Sequence, residues 1–307
     1  MSKIVLAGAT GDLGFRIFSN LTKLGADVHC LVSIDSKNPR LDTLKNQCQS
    51  ISYYQPDNHH SLVKALSGAS VVVSAVSGLE PVILNFQTKL FRASIDAGVR
   101  RFFPSDFSVD YRYIPQGDNR NLNLREKFRI AIDNEKSISV TSILNGAFMD
   151  MLTGAAPFIL YPINRILCWE NPNQLLDWTS IDDTALYTAH AILEESTPRF
   201  LKISGDQVSA NSLAKIMHEL TGNNYKVLNA GSLNTLKTII RITKSVSFDK
   251  NKTYPAWQGM QYMHNMYKGD CKFGELDNNR YPIHFEKIPQ HIKRFLNGET
   301  RKYKLTN

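Results

Sequence analysis

The feature that most constrains the fold is a glycine-rich turn between a short apolar run and a helical pattern. The run Lys3–Ala7 ends in four consecutive apolar residues, which is typical of a buried strand. The turn Gly8-Ala-Thr-Gly11-Asp-Leu-Gly14 follows directly, and apolar residues then recur near helical spacing as far as Leu21. A strand, a tight turn and a helix in this order predict the first half of a βαβ unit.

The same alternation continues through the first half of the chain. Glycines such as Gly25, Gly68 and Gly98 follow the helical patterns, at the position where a left-handed backbone ends a helix. Further strands are predicted at 27–32, 50–54, 70–76, 101–104 and 139–144. Because strands that alternate with helices form parallel sheets, the sequence predicts an α/β fold with a Rossmann-type, doubly wound parallel sheet.

The alternation stops near Thr153, where prolines and shorter patterns replace it. We expect a first domain at 1–152, to which 176–204 returns. A smaller, partly interleaved α+β domain is expected from 153–175 and 205–307. The aromatic and methionine-rich stretch from Tyr254 to Tyr267 is expected to be irregular.

Charge and cysteine usage narrow the class of protein. The formal net charge is +8, with much of the excess in two stretches, Lys237–Lys252 and Lys287–Lys304. Neither carries a nucleic-acid-reading motif, so we expect solvated helix faces or tails and no nucleic-acid partner. No apolar run approaches the ~18 residues that span a bilayer, so no membrane partner is expected. The four cysteines show neither zinc spacing nor a CxxC pair, which indicates reduced thiols, a cytoplasmic protein and no metal site.

The glycine-rich turn has the properties of a phosphate cradle. Glycine permits a positive φ and lets the backbone approach a diphosphate without a Cβ in the way. The following helix offers unpaired N–H groups and the positive end of its dipole. The alternative is a turn that only joins a strand to a helix. The candidate dinucleotide contacts are Gly8, Thr10, Gly11, Asp12, Leu13 and Gly14.

The end of the second strand indicates which dinucleotide would bind. An acidic residue there would hold the ribose 2′-hydroxyl of NAD, but the sequence has Ser33. Lys37 and Arg40 follow and can meet a 2′-phosphate, whereas Asp35 opposes that assignment. A solvated loop would also explain these residues. We expect NADP(H) rather than NAD(H) as the cofactor.

Several motifs resemble the NmrA-like and isoflavone-reductase-like branch of the atypical short-chain dehydrogenases. The glycine turn matches the G-x-x-G-x-x-G of that branch. The segment 101–107, RFFPSDF, resembles its RFFPSEFG strand end, with Asp106 in place of Glu and Ser108 in place of Gly. The segment 128–135 resembles a helix of the form IRRAIEAE. The resemblance extends in register over roughly 3–227.

This resemblance implies an NADP(H)-binding domain and a pocket between domains for a flat, often aromatic small molecule. It places Ser77 and Gly78 at the middle of the cofactor and Pro104 and Ser105 at its nicotinamide side. Substrate contacts are then expected at Phe107, Asn145 and Phe148. Both a monomer and a homodimer are compatible with the sequence.

The resemblance fails at the expected acid–base residue. The isoflavone-reductase-like group carries a catalytic lysine where this sequence has Arg125, and Lys127 lies about 200° away around a helix. No tyrosine is followed by a lysine four residues later, which is the usual short-chain pair. Arginine stays charged and is a poor proton shuttle, but it can steady a developing oxyanion.

Two other segments offer candidates for the missing chemistry. The polar loop 115–122 contains Asp118, Asn119 and Arg120, which can contact a substrate; the alternative is an ordinary exposed turn. The stretch 254–267 suits a pocket wall or lid, with substrate contacts from Trp257 and Met260 and a proton from Tyr262 or His264. Plain core packing is the alternative for each of them.

Two hypotheses of function follow. The first is an NADPH-dependent reductase that transfers hydride to a small, aromatic or quinone-like molecule, with Arg125 or a lid residue stabilising the charge that forms. The second is a non-catalytic NmrA-like regulator that senses NADP(H) and acts through a protein partner. The absent lysine favours the regulator, and the aromatic stretch favours the enzyme.

Overall fold

The structure is a computed structural model that describes residues 3–48, 50–55, 57–248 and 251–300. Its first compact unit, made of Met1–Phe107, Leu124–Ile143 and Thr184–Leu201, contains a six-stranded sheet. The strands are β1 (Lys3–Ala7), β2 (Val28–Ser33), β3 (Ser50–Tyr54), β4 (Ala69–Ser74), β5 (Arg101–Phe103) and β6 (Ser139–Val140). Their order is β3-β2-β1-β4-β5-β6, and all neighbours are parallel. This doubly wound order confirms the predicted α/β class.

Helices connect these strands. They are α1 (Asp12–Lys23), α2 (Arg40–Gln47), α3 (His59–Leu66), α4 (Gln87–Asp96) and α5 (Arg120–Ile132). A further helix, α6 (Ile181–Leu193), comes later in the chain, after all six strands. A π-helical segment, Pro81–Phe86, runs directly into α4. The hydrogen-bond pattern of this continuous helical region therefore changes at Gln87. Such π segments are rare and are found frequently at functional sites.

Aromatic packing holds the core of this unit between the sheet and its helices. The ring of Phe91 in α4 lies edge-on to Phe102 of β5, with 5.2 Å between centroids, and edge-on to Phe128 of α5 at 6.3 Å. Val5 and Val72 of the central strands are fully buried in the same cluster. These contacts fix α4 and α5 against the strands whose carboxyl ends carry the candidate site.

The second compact unit is made of Ser108–Asn123, Leu144–Asp183 and Lys202–Asn307. Six strands form two three-stranded sheets in it: β8 (Ala147–Phe148), β9 (Ile159–Leu160), β10 (Arg165–Cys168), β11 (Leu176–Thr179), β13 (Asp206–Val208) and β14 (Lys226–Asn229). The sheet orders are β14-β10-β9 and β13-β11-β8. Its helices are α7 (Ala210–Thr221), α8 (Leu233–Val246), α9 (Ala256–Lys268) and α10 (Ile288–Leu296). Two further strands pair with each other and have most of their residues in the first unit; they are β7 (Ser142–Leu144) and β12 (Phe200–Lys202). The predicted division of the chain into 1–152 with 176–204 and 153–175 with 205–307 stays a prediction.

The aromatic and methionine-rich stretch is helical, so the expectation of an irregular segment was wrong. Residues Ala256–Lys268 form α9, which begins after Pro255 and ends at Gly269 with φ +85°. Its buried residues include Gln258, Gln261 and Asn265. Because these amides occupy the inward face, the apolar residues alone do not show helical spacing.

The strand predicted at 139–144 is divided at Thr141 into β6 and β7. The Thr141 N–H donates to Phe102 O of β5 at 3.0 Å, and the Ser142 N–H donates to Arg199 O at 2.9 Å. Successive N–H groups of an extended chain point to opposite sides, so the segment has different partners on its two edges. The chain thereby leaves the main sheet.

The two basic stretches fall largely on helices. Lys237, Arg241 and Lys244 lie on α8, and Lys293 and Arg294 lie on α10. Positions 249–250 and 301–304 of these stretches lie outside the described residues. Over the described ranges, none of the helices combines the length and the apolar character needed to cross a bilayer.

A buried arginine at the start of β5 holds the carboxyl end of α6. The Arg101 guanidinium donates to the main-chain oxygens of Ala191 and Ile192, each at 3.0 Å, and to that of Glu194. The last carbonyls of a helix have no intrahelical partner, so a cation there satisfies them and interacts favourably with the helix dipole.

We expect the substitution Arg101→Met to lower the free energy of unfolding by about 3 kcal/mol, because the buried carbonyls of α6 lose their charged donor. Urea denaturation measures the change. Arg100→Met is the matched control, since Arg100 is exposed. Equal losses in the two variants would contradict the role assigned to Arg101.

Candidate functional site

Close packing around the glycine-rich turn leaves no room for side chains at two positions. Gly8 has φ +88°, and a Cβ on it would lie 2.5 Å from the carbonyl oxygen of Ala75 after β4. A Cβ on Gly14 would lie 2.2 Å from the carbonyl oxygen of Gly8. Real Cβ atoms do not approach oxygens so closely, so both positions require glycine. The turn therefore brings the ends of β1 and β4 and the start of α1 together.

The start of α1 presents main-chain amides at this turn. The Gly11 N–H donates to Gly8 O at 2.9 Å, and the first helical hydrogen bond runs from Phe15 N–H to Gly11 O at 2.9 Å. The amides of Asp12, Leu13 and Gly14 precede that first bond. Gly11 is the N-cap residue, and glycine has no side chain to satisfy them. Such a helix start binds anions.

Two arginines face the first residue of α1. Arg40 Nη2 lies 3.5 Å from Asp12 Oδ1, and Arg16 Nε lies 3.3 Å from the same oxygen. Arg40 is the first residue of α2, so the structure brings this predicted 2′-phosphate contact to the glycine turn. The hydroxyl of Ser33 accepts the Asp35 N–H at 3.3 Å. Lys37 is exposed in the loop between β2 and α2.

The carboxyl ends of β4 and β5 are tied together by a buried glutamine and a serine. The Ser105 hydroxyl donates to Val76 O at 2.7 Å, and its N–H donates to Gln87 Oε1 at 2.8 Å. Gln87 in turn donates to Ile83 O at 2.7 Å. Sequence reasoning missed Gln87, because a glutamine at the junction of two helical segments carries no distinguishing pattern.

The other predicted contacts on this edge lie in the same loops. Ser77 is exposed after β4, and a Cβ on Gly78 would lie 2.7 Å from Val82 Cγ2. Pro104 and Phe107 are buried after β5. The loops after β1, β4 and β5 thus gather Gly8–Gly14, Ser77–Gly78 and Pro104–Ser105 along one edge of the sheet.

A recess of about 450 Å³ lies at the carboxyl ends of β2 and β3. Its lining is polar apart from one isoleucine and consists of Ile34, Asp35, Gln55, Asp57 and Asn58. Lys89 lies 2.7 Å from Asp57 and lowers the pKa of that carboxyl group. No sequence motif marks this recess, because it forms where two loops distant in sequence come together.

The arginine at the position of the family lysine is buried. Arg125 is 7% exposed on α5, whereas Lys127 is exposed. The helix therefore turns the two side chains to different faces, and Lys127 does not share the environment of Arg125. Phe128, three residues beyond Arg125, packs into the core of the first unit.

In the second unit, the segment 115–122, whose last three residues form the start of α5, packs against α9 through side-chain amides. The Asn119 side chain accepts from Gln258 Nε2 at 2.8 Å and donates to Asn265 Oδ1 at 3.1 Å. The Arg120 guanidinium donates to Thr253 O at 2.8 Å. These contacts hold the segment against α9.

Two charged side chains of this segment, Asp118 and Arg120, also contact residues of α8 and α9. Asp118 lies 3.4 Å from Lys237 Nζ, and the Arg120 guanidinium lies 4.6 Å from the ring centroid of Trp257. Trp257 is 2% exposed, which is the burial of a core residue. Of the loop candidates for substrate contact, Asn119 and Arg120 thus have packing roles in the structure.

The two proton-donor candidates on α9 have different environments. His264 is 8% exposed, and burial lowers its pKa below the ordinary value, so its imidazole is neutral at pH 7. A neutral imidazole with a lowered pKa is a weak proton donor. Tyr262 and Met260 are half-buried.

Asn145 is fully buried with both polar atoms of its side chain lacking a hydrogen-bond partner among the described residues. Its main chain is held by Ser108 O at 3.0 Å and by the Thr179 hydroxyl at 2.7 Å. An unsatisfied buried amide costs about 1–3 kcal/mol per group, and a bound ligand or water can supply the partner. Phe148 lies three residues further, at the end of β8.

The sheet order and the glycine turn define a doubly wound α/β protein of the Rossmann type. Residues 1–279 match the model of the NmrA-like family, and the chain belongs to that family. The predicted family resemblance is thereby confirmed.

Curated relatives and solved structures agree with this membership. The chain is 28% identical over 252 residues to an isoflavone reductase homolog of Solanum tuberosum, which covers 78% of this chain and 80% of the relative. It is 26% identical over 317 residues to bifunctional pinoresinol-lariciresinol reductase 2 of Thuja plicata, covering 96% and 99%. A crystal structure of isoflavone reductase superposes with a TM-score of 0.81 at 19% identity, covering 96% and 99%. The leucoanthocyanidin reductase–NADPH complex from Vitis vinifera gives 0.78 at 18%, covering 96% and 100%.

We expect Gly14→Ala to lower the free energy of unfolding by about 1–3 kcal/mol, because its Cβ would push α1 away from the turn. The control is Gly259→Ala in α9, where a Cβ meets nothing within 4 Å. That change should raise the free energy of unfolding by up to about 1 kcal/mol, since alanine is the better helix former. Urea denaturation of both variants tests the pair, and a neutral Gly14→Ala would refute the packing argument.

Proposed function

We propose that this protein is an NADPH-dependent reductase that transfers hydride to a small aromatic or quinone-like substrate. The observation that carries the proposal is the glycine turn, where the amides at the start of α1 meet the carboxyl ends of β1 and β4. The carbonyl oxygen of Ala75 leaves no space for a Cβ on Gly8, and the carbonyl oxygen of Gly8 leaves none for a Cβ on Gly14. A dinucleotide diphosphate requires a backbone surface of this kind.

The preference for a 2′-phosphate is supported by the charge beside the turn. Arg40 reaches the start of α1 from α2, and Arg16 adds a second guanidinium within 3.3 Å of Asp12. Guanidinium groups bind phosphate oxygens well, since their N–H donors match that geometry. Lys37, in the loop between β2 and α2, adds a further positive charge. Asp35, which opposes this assignment, is one of the residues that line the recess beside β3.

The nicotinamide side would lie at the loop after β5. The hydrogen bonds of Ser105 to Val76 and Gln87 hold this loop in place, so the backbone there is ready to orient a ring. NADPH, when bound, supplies the hydride. A carbon that accepts hydride leaves negative charge on its conjugated oxygen, and a fixed positive group stabilises that charge.

Arg125 is the residue that we assign to this stabilisation. Its guanidinium stays protonated at every relevant pH, so it holds charge without moving a proton. The proton that completes the reduction would then come from Tyr262 or from water. His264 is the weaker candidate, because burial keeps its imidazole neutral at pH 7.

The substrate class rests on the relatives. They are named as reductases of isoflavone, pinoresinol and lariciresinol type, and the NADPH complex of leucoanthocyanidin reductase has the same fold. The side-chain amide of Asn145 is a candidate contact for a substrate oxygen, since it has no described partner within the protein. Phe107, Phe148 and Met260 are the proposed apolar contacts.

We expect calorimetry to give tighter binding of NADPH than of NADH. Arg40→Ala should weaken NADPH binding about tenfold and NADH binding much less, since one charge-assisted hydrogen bond is lost. Arg92→Ala, an exposed arginine on α4, is the control and should change neither. Equal affinity of the wild type for both cofactors would refute the 2′-phosphate assignment.

We expect NADPH oxidation to be accelerated by at least one member of a panel of quinones and aromatic enones. Arg125→Met should lower kcat by about 100-fold or more with little change in NADPH affinity, because a fixed charge at the transition state is lost. Arg125→Lys should retain part of the activity, and Lys127→Met is the control. Tight NADPH binding with no turnover across the panel would instead favour a cofactor-sensing regulator.

A further inference from the structure

Two of the four cysteines meet in the first unit. Cys30 lies in β2, and Cys48 directly follows α2; their sulfur atoms are 3.3 Å apart and share a hydrogen bond. Both are reduced. Cys30 is fully buried, whereas Cys48 keeps 9% of its surface exposed. The pair is therefore an arrangement of one inner and one outer thiol in direct contact.

The outer thiol has the character of a reactive one. The contact with the Cys30 sulfur, 3.3 Å away, lowers the pKa of Cys48 to about 6, although burial acts in the opposite direction, and the same contact raises the pKa of Cys30. The thiolate is the form that oxidants attack, and a second thiol within contact distance resolves the product.

We propose that Cys30 and Cys48 form an oxidation site at which a peroxide joins the two sulfurs in a reversible disulfide. The Cys48 thiolate attacks one oxygen of hydrogen peroxide and breaks the O–O bond, which gives a sulfenic acid on Cys48 and hydroxide. The Cys30 sulfur then attacks the Cys48 sulfur. The S–O bond breaks, and the hydroxyl group leaves as water with the Cys30 proton. In total, two thiols and one peroxide give one disulfide and two waters, and a dithiol reverses the oxidation.

The local structure allows the sulfurs to close. A disulfide has about 2.05 Å between its sulfurs, so the separation must fall by a little over 1 Å. Helix α2 has eight residues and buries only Leu44. It can therefore follow Cys48 toward β2 without disturbing a large packed surface.

The other two cysteines are suitable internal controls. Burial raises the pKa of Cys168, and it raises the pKa of Cys271 to about 12. The Cys271 thiol donates to Asn265 O at 3.4 Å. Both are buried thiols without thiolate character at pH 7, and we expect them to resist peroxide under conditions that oxidise the pair.

The disulfide would change the position of Arg40 beside the glycine turn and so the binding of NADPH; this inference rests on the proposed function. Helix α2 ends one residue before Cys48 and begins at Arg40, which faces Asp12 beside the glycine turn. Drawing one end of a short helix toward β2 moves its other end. Oxidation should therefore change the affinity for NADPH and leave that for NADH, which lacks the 2′-phosphate, almost unchanged.

Peptide mass spectrometry tests the oxidation site. The full-length protein is treated at pH 7 with a small excess of hydrogen peroxide, alkylated in denaturant and digested with trypsin. We expect peptides 24–37 and 46–64 to appear as one cross-linked species that lacks two hydrogens and separates after treatment with a dithiol. Cys168 and Cys271 should remain fully alkylated. No cross-link, or equal oxidation of all four cysteines, would overturn the proposal.

Single variants separate the two cysteines. In Cys48→Ser, Cys30 should stay reduced at the same peroxide dose, because the attacking thiolate is gone. In Cys30→Ser, Cys48 should be trapped as a sulfenic acid that a dimedone probe labels. Cys168→Ser should behave as the wild type. Since the wild-type cross-link is measured directly, misfolding of a variant leaves the main test intact.

Calorimetry on oxidised and reduced protein tests the effect on the cofactor. We expect the NADPH Kd to differ by at least about threefold between the two forms, while the NADH Kd changes less than twofold and Cys48→Ser shows no response to peroxide. A cross-link without any change in NADPH Kd would overturn the coupling to Arg40. Absence of dinucleotide binding in both forms would instead refute the proposed function and leave the cross-link result standing.

Discussion

The close approach of α1 to the glycine turn is the contact on which the candidate site depends. At Gly14 the helix comes so near to the Gly8 carbonyl that only a hydrogen atom fits between them. Gly8 approaches Ala75 in the same way, so the turn, the helix start and the end of β4 form one rigid corner. Free amides at such a corner are aligned before any ligand arrives, which limits the entropy lost on binding.

Buried hydrogen bonds to main-chain carbonyls extend this rigidity along the sheet edge. Gln87 and Ser105 connect the π-helical segment, the end of β4 and the end of β5. At the opposite end of β5, its first residue Arg101 donates to carbonyl oxygens at the end of α6. In each case a buried polar side chain donates to a main-chain carbonyl oxygen. The loops after β4 and β5, which carry the proposed nicotinamide contacts, are therefore held in place by buried hydrogen bonds.

Helix α2 is the least anchored element beside the site. Its first residue, Arg40, supplies charge at the start of α1, and the residue after its end, Cys48, contacts Cys30 in β2. Only Leu44 is buried between them. A helix with so little buried surface is positioned mainly by the contacts at its two ends. A change in the sulfur contact of Cys48 at one end is therefore expected to move Arg40 at the other.

The local features of this protein follow from the sequence, because neighbouring residues determine them. Lys3–Ala7, the glycines at 8 and 14 and the helix start at Asp12 were predictable from apolar spacing and from the backbone angles that only glycine tolerates. The α/β class and the family followed from the same signals. The tertiary structure decided which distant residues meet: Cys30 with Cys48, Gln87 with Ser105, and Asn119 with the inward amides of α9. These pairs depend on the path of the whole chain, and polar residues on a buried face give no periodic signal before that path is known.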